Sequence, residues 1–158
     1  MIVFLNIGSN LGNRMLNISK AVSALEKEFG YFELSHSVEN AAQGFKSPRK
    51  FMNVGMMVHS DLEPLELLAR IQKIEKELSD GAHRDSKGRY IDREIDIDII
   101  AIEEQVIDTP ELTVPHPRMQ ERMFVLQPMV ELAAGWKHPK TGLTPLEMMA
   151  ELQKKESN

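Results

Sequence analysis

The run Tyr90-Ile91-Asp92-Arg93-Glu94-Ile95-Asp96-Ile97-Asp98-Ile99-Ile100 alternates apolar and polar residues. That period of two marks a strand with one buried face. Ile95, Ile97 and Ile99 then face one way, and Asp96 and Asp98 the other. Three further strands are predicted: Ile2 to Ile7, Tyr31 to Val38, and Phe51 to His59. In the last, Phe51, Asn53 and Gly55 share one face, and Met52, Val54 and Met56 share the other. Ile18, Val22, Leu25 and Phe29 form a helical stripe, with Asn13 as a cap and Gly30 closing the helix. Leu67, Ile71, Ile74 and Leu78 form a second stripe. Ser60 or Asp61 is the expected cap there, Pro64 lies in the first turn, and Ser79-Asp80-Gly81 is the stop. A short helix is expected over Met123 to Leu132, and Pro145 opens a last one near Leu146 to Leu152. The tail Lys154 to Asn158 should fray.

Between these elements lie two polar, basic loops, Asn40 to Lys50 and Ala82 to Ile91, and the proline-bracketed connection Leu112 to Pro117. The order is strand, helix, strand, strand, helix, strand, then a helical tail. That βαββαβ order predicts the α+β class: a ferredoxin-like antiparallel sheet with helices packed on one face and a helical C-terminal extension. At 158 residues one domain spanning 1–158 is expected.

Composition narrows the chemistry. A formal net charge of -5 supplies no global field for nucleic acid, so any anion site must be built locally. The chain has no cysteine, which rules out disulfides and thiolate metal sites and suits a reducing cytoplasm. The apolar start, Met1 to Ile7, lacks a basic leader and reads as a strand, and no apolar run approaches a membrane span. A monomer is the default expectation, since no additional apolar stripe is present.

Against that background the acidic pair stands out. Carboxylates two residues apart on a strand have Cα atoms about 6.5–7 Å apart. They repel unless a cation lies with them, and hard oxygen donors on a rigid element suit Mg²⁺. Arg93 precedes the pair, and Arg84, Lys87 and Arg89 lie in the loop feeding that strand. Carboxylates for metal and guanidinium groups for phosphate equip a phosphoryl-transfer site, although a solvated edge strand and loop would carry the same residues. His116 sits between Pro115 and Pro117 on a stiff support, with Arg122 six residues on. Gln72 and Glu75 are neighbours on the second helix, where an ordinary exposed face is the plain alternative. Asn53 is an amide in an apolar strand and needs partners; a planar heterocycle is one kind, with Phe51 placed to stack on it. Gly8-Ser9-Asn10-Leu11-Gly12-Asn13 lacks the Walker spacing and its Lys-Ser/Thr ending.

Four segments in register carry a resemblance over nearly the whole chain. They are Ile7-Gly8-Ser9-Asn10-Leu11-Gly12-Asn13-Arg14, Phe51-Met52-Asn53, Arg93-Glu94-Ile95-Asp96-Ile97-Asp98-Ile99, and Leu112-Thr113-Val114-Pro115-His116-Pro117. Together they resemble the 6-hydroxymethyl-7,8-dihydropterin pyrophosphokinases. The resemblance implies a folate-pathway enzyme that moves pyrophosphate from ATP to the hydroxymethyl group of a reduced pterin and releases AMP. It implies two Mg²⁺ ions held by Asp96 and Asp98 against the ATP phosphates. By the same resemblance Arg84 and Arg93 act with that pair in catalysis. Gln72, Glu75, Arg84, Arg93, Ile99, Thr113, His116 and Arg122 are implied around ATP. Asn40, Ala41, Gln43, Phe51, Asn53, Tyr90, Asp96 and Phe124 are implied around the pterin. Three positions depart from the pattern: Asn40 to Gly44 lacks the prolines often found there, Tyr90 stands where many members carry Trp or Phe, and Glu111 where some carry Arg.

Three rival readings use the same residues differently. A ferredoxin-like regulatory module would bind a small molecule without needing an acidic pair. Another Mg²⁺-dependent phosphotransferase would release ADP instead of AMP. An RNA-binding module of similar topology is disfavoured by the acidic charge and the lack of paired strand aromatics.

Overall fold

The computed structural model describes residues 1–40, 50–79 and 94–157. Its main sheet is built on β1 (Ile2–Ser9), which pairs antiparallel with β4 (Phe51–His59) on one side and β5 (Asp96–Ile102) on the other. Two short strands, β2 (Phe32–Leu34) and β3 (Val38–Asn40), pair with the far edge of β4, giving the order β2-β4-β1-β5, with β3 on the same edge at the start of β4 and β2 toward its end. Four helices are described: α1 (Arg14–Phe29), α2 (Pro64–Leu78), α3 (Met123–Leu132) and α4 (Pro145–Glu156). A small ribbon of β6 (Ile107–Asp108) and β7 (Thr113–Val114), and a 3₁₀ turn at Met119–Glu121, fill the connection before α3.

Local chemistry explains most boundaries. The Asn13 side chain accepts from the Leu16 N–H at 3.1 Å and starts α1. Gly30 ends it at φ 81, its N–H donating to the Glu26 carbonyl. At α4 the Thr144 and Glu147 side chains cap each other's backbone N–H groups, a capping box around Pro145.

Several expectations need correction. The second strand is two pieces, because the Ser35 hydroxyl accepts the Gly55 N–H at 2.8 Å where a ladder carbonyl would stand. The next residue, His36, then turns its N–H and ring to Glu131 of α3. Neither Ser60 nor Asp61 caps α2; the cap position is Glu63, with Pro64 opening the helix. Ser60 is instead held by its backbone to Met1, and its hydroxyl accepts from Leu62 N–H. Lys154 to Glu156 do not fray but continue α4, whose last turn is closed by Ser157 bonding to Gln153. The proline-bracketed connection contributes β7, with a cis bond between Val114 and Pro115. Helices also cover both faces of the sheet, where the βαββαβ reading considered a single layer.

The two faces differ. On one, Val3, Leu5, Ile7, Val54, Met56, Ile97 and Ile99 are buried against Ile18 and Leu25 of α1 and Leu67 and Ile71 of α2. On the other, Phe4, Ile100 and Ala101 meet Val125, Leu126 and Met129 of α3 and Met148 of α4. The register slips between Phe4 and Leu5, leaving Ile100 as an extra residue on β5. That bulge lets Ile100 and Ala101 both serve the second core while Ile102 returns to the first. Gly55 permits α3 to lie directly on β4, since a Cβ there would stand 2.6 Å from the Pro128 Cβ. Gly55→Ala should therefore lower unfolding free energy by about 1–3 kcal/mol through overpacking. Gly135→Ala, where a Cβ meets nothing within 4 Å, is the control and should change little in the same urea titrations. Equal stability of the two variants would show that α3 is free to shift.

Candidate active site

The part of the second face that α3 and α4 leave uncovered is polar. Asp96 and Asp98 stand half-buried on β5, and across the ladder their partners on β1 are Gly8 and Asn6. Gly8 also faces Asn53 on β4, and a Cβ on Gly8 would lie 2.7 Å from the Asn53 Nδ2 and 3.3 Å from the Phe51 ring. The glycine is therefore a gap that seats the Asn53 amide and Phe51 beside the acidic pair. Phe51 itself is largely buried at the strand's start.

Amides continue the polar row across the sheet. Asn40 of β3 donates through Nδ2 to the Asn53 Oδ1 at 2.6 Å, and Asn53 Nδ2 donates to the Asn6 Oδ1 at 2.7 Å. Asn6 Nδ2 donates in turn to the Phe124 carbonyl at 3.0 Å. Phe124 is in the first turn of α3, and the Arg122 guanidinium carbon lies 5.7 Å from its ring centroid. The Arg122 Nε is buried with no hydrogen-bond partner among the described residues, which suits a donor awaiting an anion.

His116 follows the cis Val114-Pro115 bond and is anchored by its backbone N–H to the Ile100 carbonyl at 2.8 Å. The bulge on β5 thus ties the His116 loop to the strand that carries the aspartates. The ring Nδ1 accepts from the Arg118 N–H, so the neutral ring carries its proton on Nε2. Burial, with the positive charges of Arg122 and Arg118 behind it, lowers the His116 pKa to about 4.

On the outer edge of β5, Glu75 of α2 accepts the Ile97 N–H at 2.6 Å. It satisfies an edge-strand donor located between the two aspartates. Gln72 is on the exposed part of α2, and Thr113 pairs with Asp108 in the small ribbon. The Ile99 side chain is buried toward α1 and α2, so it does not line the acidic face. Arg14 pairs with Glu39 at 2.7 Å and donates to the Lys50 carbonyl at 2.9 Å, holding residues 39 and 50 to the start of α1. Arg84, Arg93, Ala41, Gln43 and Tyr90 lie outside the described residues.

The structure therefore gathers Asp96, Asp98, Asn53, Phe51, Asn40, Phe124 and Arg122 around one end of the second face. Sequence reasoning passed over Asn6 and took Gly8 only as part of a turn motif, not as a site residue. The signal for Asn6 was present: a buried amide inside an apolar strand, the same signal that marked Asn53.

A family model described as 7,8-dihydro-6-hydroxymethylpterin-pyrophosphokinase (HPPK) matches residues 4–134. The chain belongs to this family. A protein of Aquifex aeolicus named 2-amino-4-hydroxy-6-hydroxymethyldihydropteridine pyrophosphokinase is 37% identical over 137 residues, 87% of this chain and 83% of that one. One of the same name from Porphyromonas gingivalis is 39% identical over 141 residues, 88% of this chain and 95% of its own length. Among solved structures, Plasmodium falciparum HPPK-DHPS superposes with a TM-score of 0.69 at 14% identity. The match covers 99% of this chain but 44% of that longer one, and it speaks to the fold alone. As a member of the HPPK family the chain is an enzyme of the pyrophosphokinase class.

The His116 environment yields a pH prediction. Its folded pKa is below the usual 6.5, so the unfolded chain binds the proton first as pH falls. This contribution to stability is complete above about pH 6.5 and is lost progressively toward pH 4. His116→Gln should flatten that part of a urea-stability profile. An NMR titration should find the ring neutral at pH 6; a midpoint near 6.5 would contradict the half-buried, cation-flanked setting.

Proposed function

We propose that this chain carries out Mg²⁺-dependent transfer of pyrophosphate from ATP to the hydroxymethyl group of 6-hydroxymethyl-7,8-dihydropterin, releasing AMP, as a step of folate synthesis. The observation that carries the reading is the juxtaposition of two carboxylates, Asp96 and Asp98, with the amide of Asn53 across Gly8 on one uncovered face. A charged transfer site and a planar-ring site share one wall there. Family membership and the pyrophosphokinase names of the relatives support the same reaction.

Asp96 and Asp98 are the residues that would hold Mg²⁺. Among the described residues no third His, Cys, Asp or Glu joins them in a metal-binding group. Two carboxylates with phosphate and water completing the shell fit the hard, octahedral preference of Mg²⁺. When bound, the metal would neutralise phosphate charge and acidify the attacking hydroxyl. The chain's own groups position the reactants. Asn53 hydrogen-bonds the pterin edge, and Phe51 and Phe124 offer ring surface. Arg122, with Arg84 and Arg93 from the basic loop and strand approach, adds positive charge at the phosphates. His116, neutral at working pH, offers its Nε2 proton as a donor. Gln72, Glu75, Ile99 and Thr113 flank the nucleotide along the outer edge of β5, Ile99 through its backbone. Asn40, Ala41, Gln43 and Tyr90 complete the pterin side. The substrate oxygen attacks the β-phosphorus, the bond from that phosphorus to the α,β-bridging oxygen breaks, and AMP leaves with the electron pair.

The frame for this site is proposed to be the ferredoxin-like arrangement. The order β2-β4-β1-β5, antiparallel throughout, with α1 and α2 as crossovers on one face, supports it. We take the working unit to be a monomer, since the described residues bring Asp96, Asp98, Asn53 and Phe51 together within one copy, and its setting to be the cytoplasm, which a cysteine-free chain suits. No helix among the described residues is long and apolar enough to cross a membrane.

Purified protein with ATP, Mg²⁺ and the reduced pterin should form AMP only when the pterin is present, and chelator should abolish it. Asp96→Asn and Asp98→Asn should each lower turnover by orders of magnitude while leaving the thermal transition in place. ADP as the product would assign ordinary kinase chemistry; near-wild-type turnover in either variant would remove the acidic pair from the reaction.

A further inference from the structure

We infer that Asn6 is a positioning residue that sets the polarity of the Asn53 amide and thereby the pterin contact; the inference rests on the pterin reading above. The argument begins at Pro128. In a helix the Phe124 carbonyl would accept the N–H four residues on, but that residue is Pro128, which has none. The freed carbonyl accepts from Asn6 Nδ2 at 3.0 Å. A carbonyl can only accept, so Asn6 must present its nitrogen to Phe124 and its oxygen to Asn53. Asn53 then presents Nδ2 to Asn6 and Oδ1 to Asn40 Nδ2, the order observed.

No amide in this row can flip without placing two donors or two acceptors together. Asn6 and Asn53 are 3% and 5% exposed, so water does not readily repair such a clash. Asn40 reinforces the direction by also approaching the Phe51 carbonyl at 3.4 Å. Among the described residues Asn53 keeps one N–H and one lone pair for a ligand, in a fixed arrangement. A heterocycle edge offering one acceptor and one donor in matching order is accepted, and its reversed edge is refused. Asn6 also ties the first turn of α3, which carries Phe124, to the centre of the sheet, so the ring and the amide hold one spacing.

The test separates this role from simple stability. Binding of the reduced pterin and of Mg-ATP is measured by fluorescence titration for wild type, Asn6→Ala, Asn53→Ala and the double variant, together with KM for each substrate. Asn6→Ala should weaken pterin binding and raise pterin KM about tenfold, the scale of one lost buried hydrogen bond, with ATP values within about twofold. In the Asn53→Ala background the same change should cost threefold or less, because the amide it orients is gone. Should Asn6→Ala not fold, Asn6→Ser is expected to show the same split in direction. Equal shifts for both substrates, additive losses in the double variant, or unchanged pterin binding would each overturn the inference. Wild-type protein that binds no pterin would overturn the underlying reading; wild type that binds it, with Asn6→Ala binding it equally well, would overturn the inference alone.

Discussion

The pairing of β1 on both its edges is the constraint from which the rest follows. A central strand bonded to β4 and β5 has no freedom of register, so its alternate residues are committed to opposite faces. Val3, Leu5 and Ile7 go to the α1 and α2 side, and Phe4, Asn6 and Gly8 to the other. Because β5 is locked to β1, Asp96 and Asp98 are placed opposite Gly8 and Asn6. One face becomes a complete hydrophobic core. The other is apolar at the Phe4 end and polar at the Gly8 end, and the polar end is where the chemistry is assembled.

The second face also shows how a helix with a broken hydrogen-bond ladder is accommodated. Pro128 presses against Gly55 and deprives the Phe124 carbonyl of its helical partner. In isolation that loss would cost on the order of 3 kcal/mol. Here Asn6 offsets part of it and converts a defect in α3 into a link between the helix and the strands. Gly55 and Gly8 act alike: each omits a side chain so that another group can stand closer to the sheet, Pro128 in one case and Asn53 in the other. The bulge at Ile100 belongs with them, since it sends Ile100 into the second core and its carbonyl to the His116 loop.

Much was legible from local pattern. Asn13 and Gly30 bound α1, and Met123 and Leu132 bound α3, because capping and apolar periodicity are short-range effects. The facing of Asp96 and Asp98 against the buried Ile97 and Ile99 followed from a period of two. The failures were non-local. Ser35 broke an expected strand because its hydroxyl bonds to Gly55, twenty residues on. Ser60 is a good cap by residue type, but pairing with Met1 holds it in the sheet's end. Glu75 has the look of a surface carboxylate in the sequence, and its bond to Ile97 exists only because α2 lies along the edge of β5.

The sequence by itself determined the elements, the two faces of each strand and, through four motifs in register, the family, since these depend on residue type and spacing along the chain. Tertiary structure alone decided that α3 and α4 cover part of the second face, that Asn6 joins Asn53 to Phe124, and that His116 stands half-buried near two cations. Those outcomes depend on which distant backbone groups are left unsatisfied after packing. A carbonyl freed by proline finds its donor 118 residues away, and no spacing along the chain records that distance.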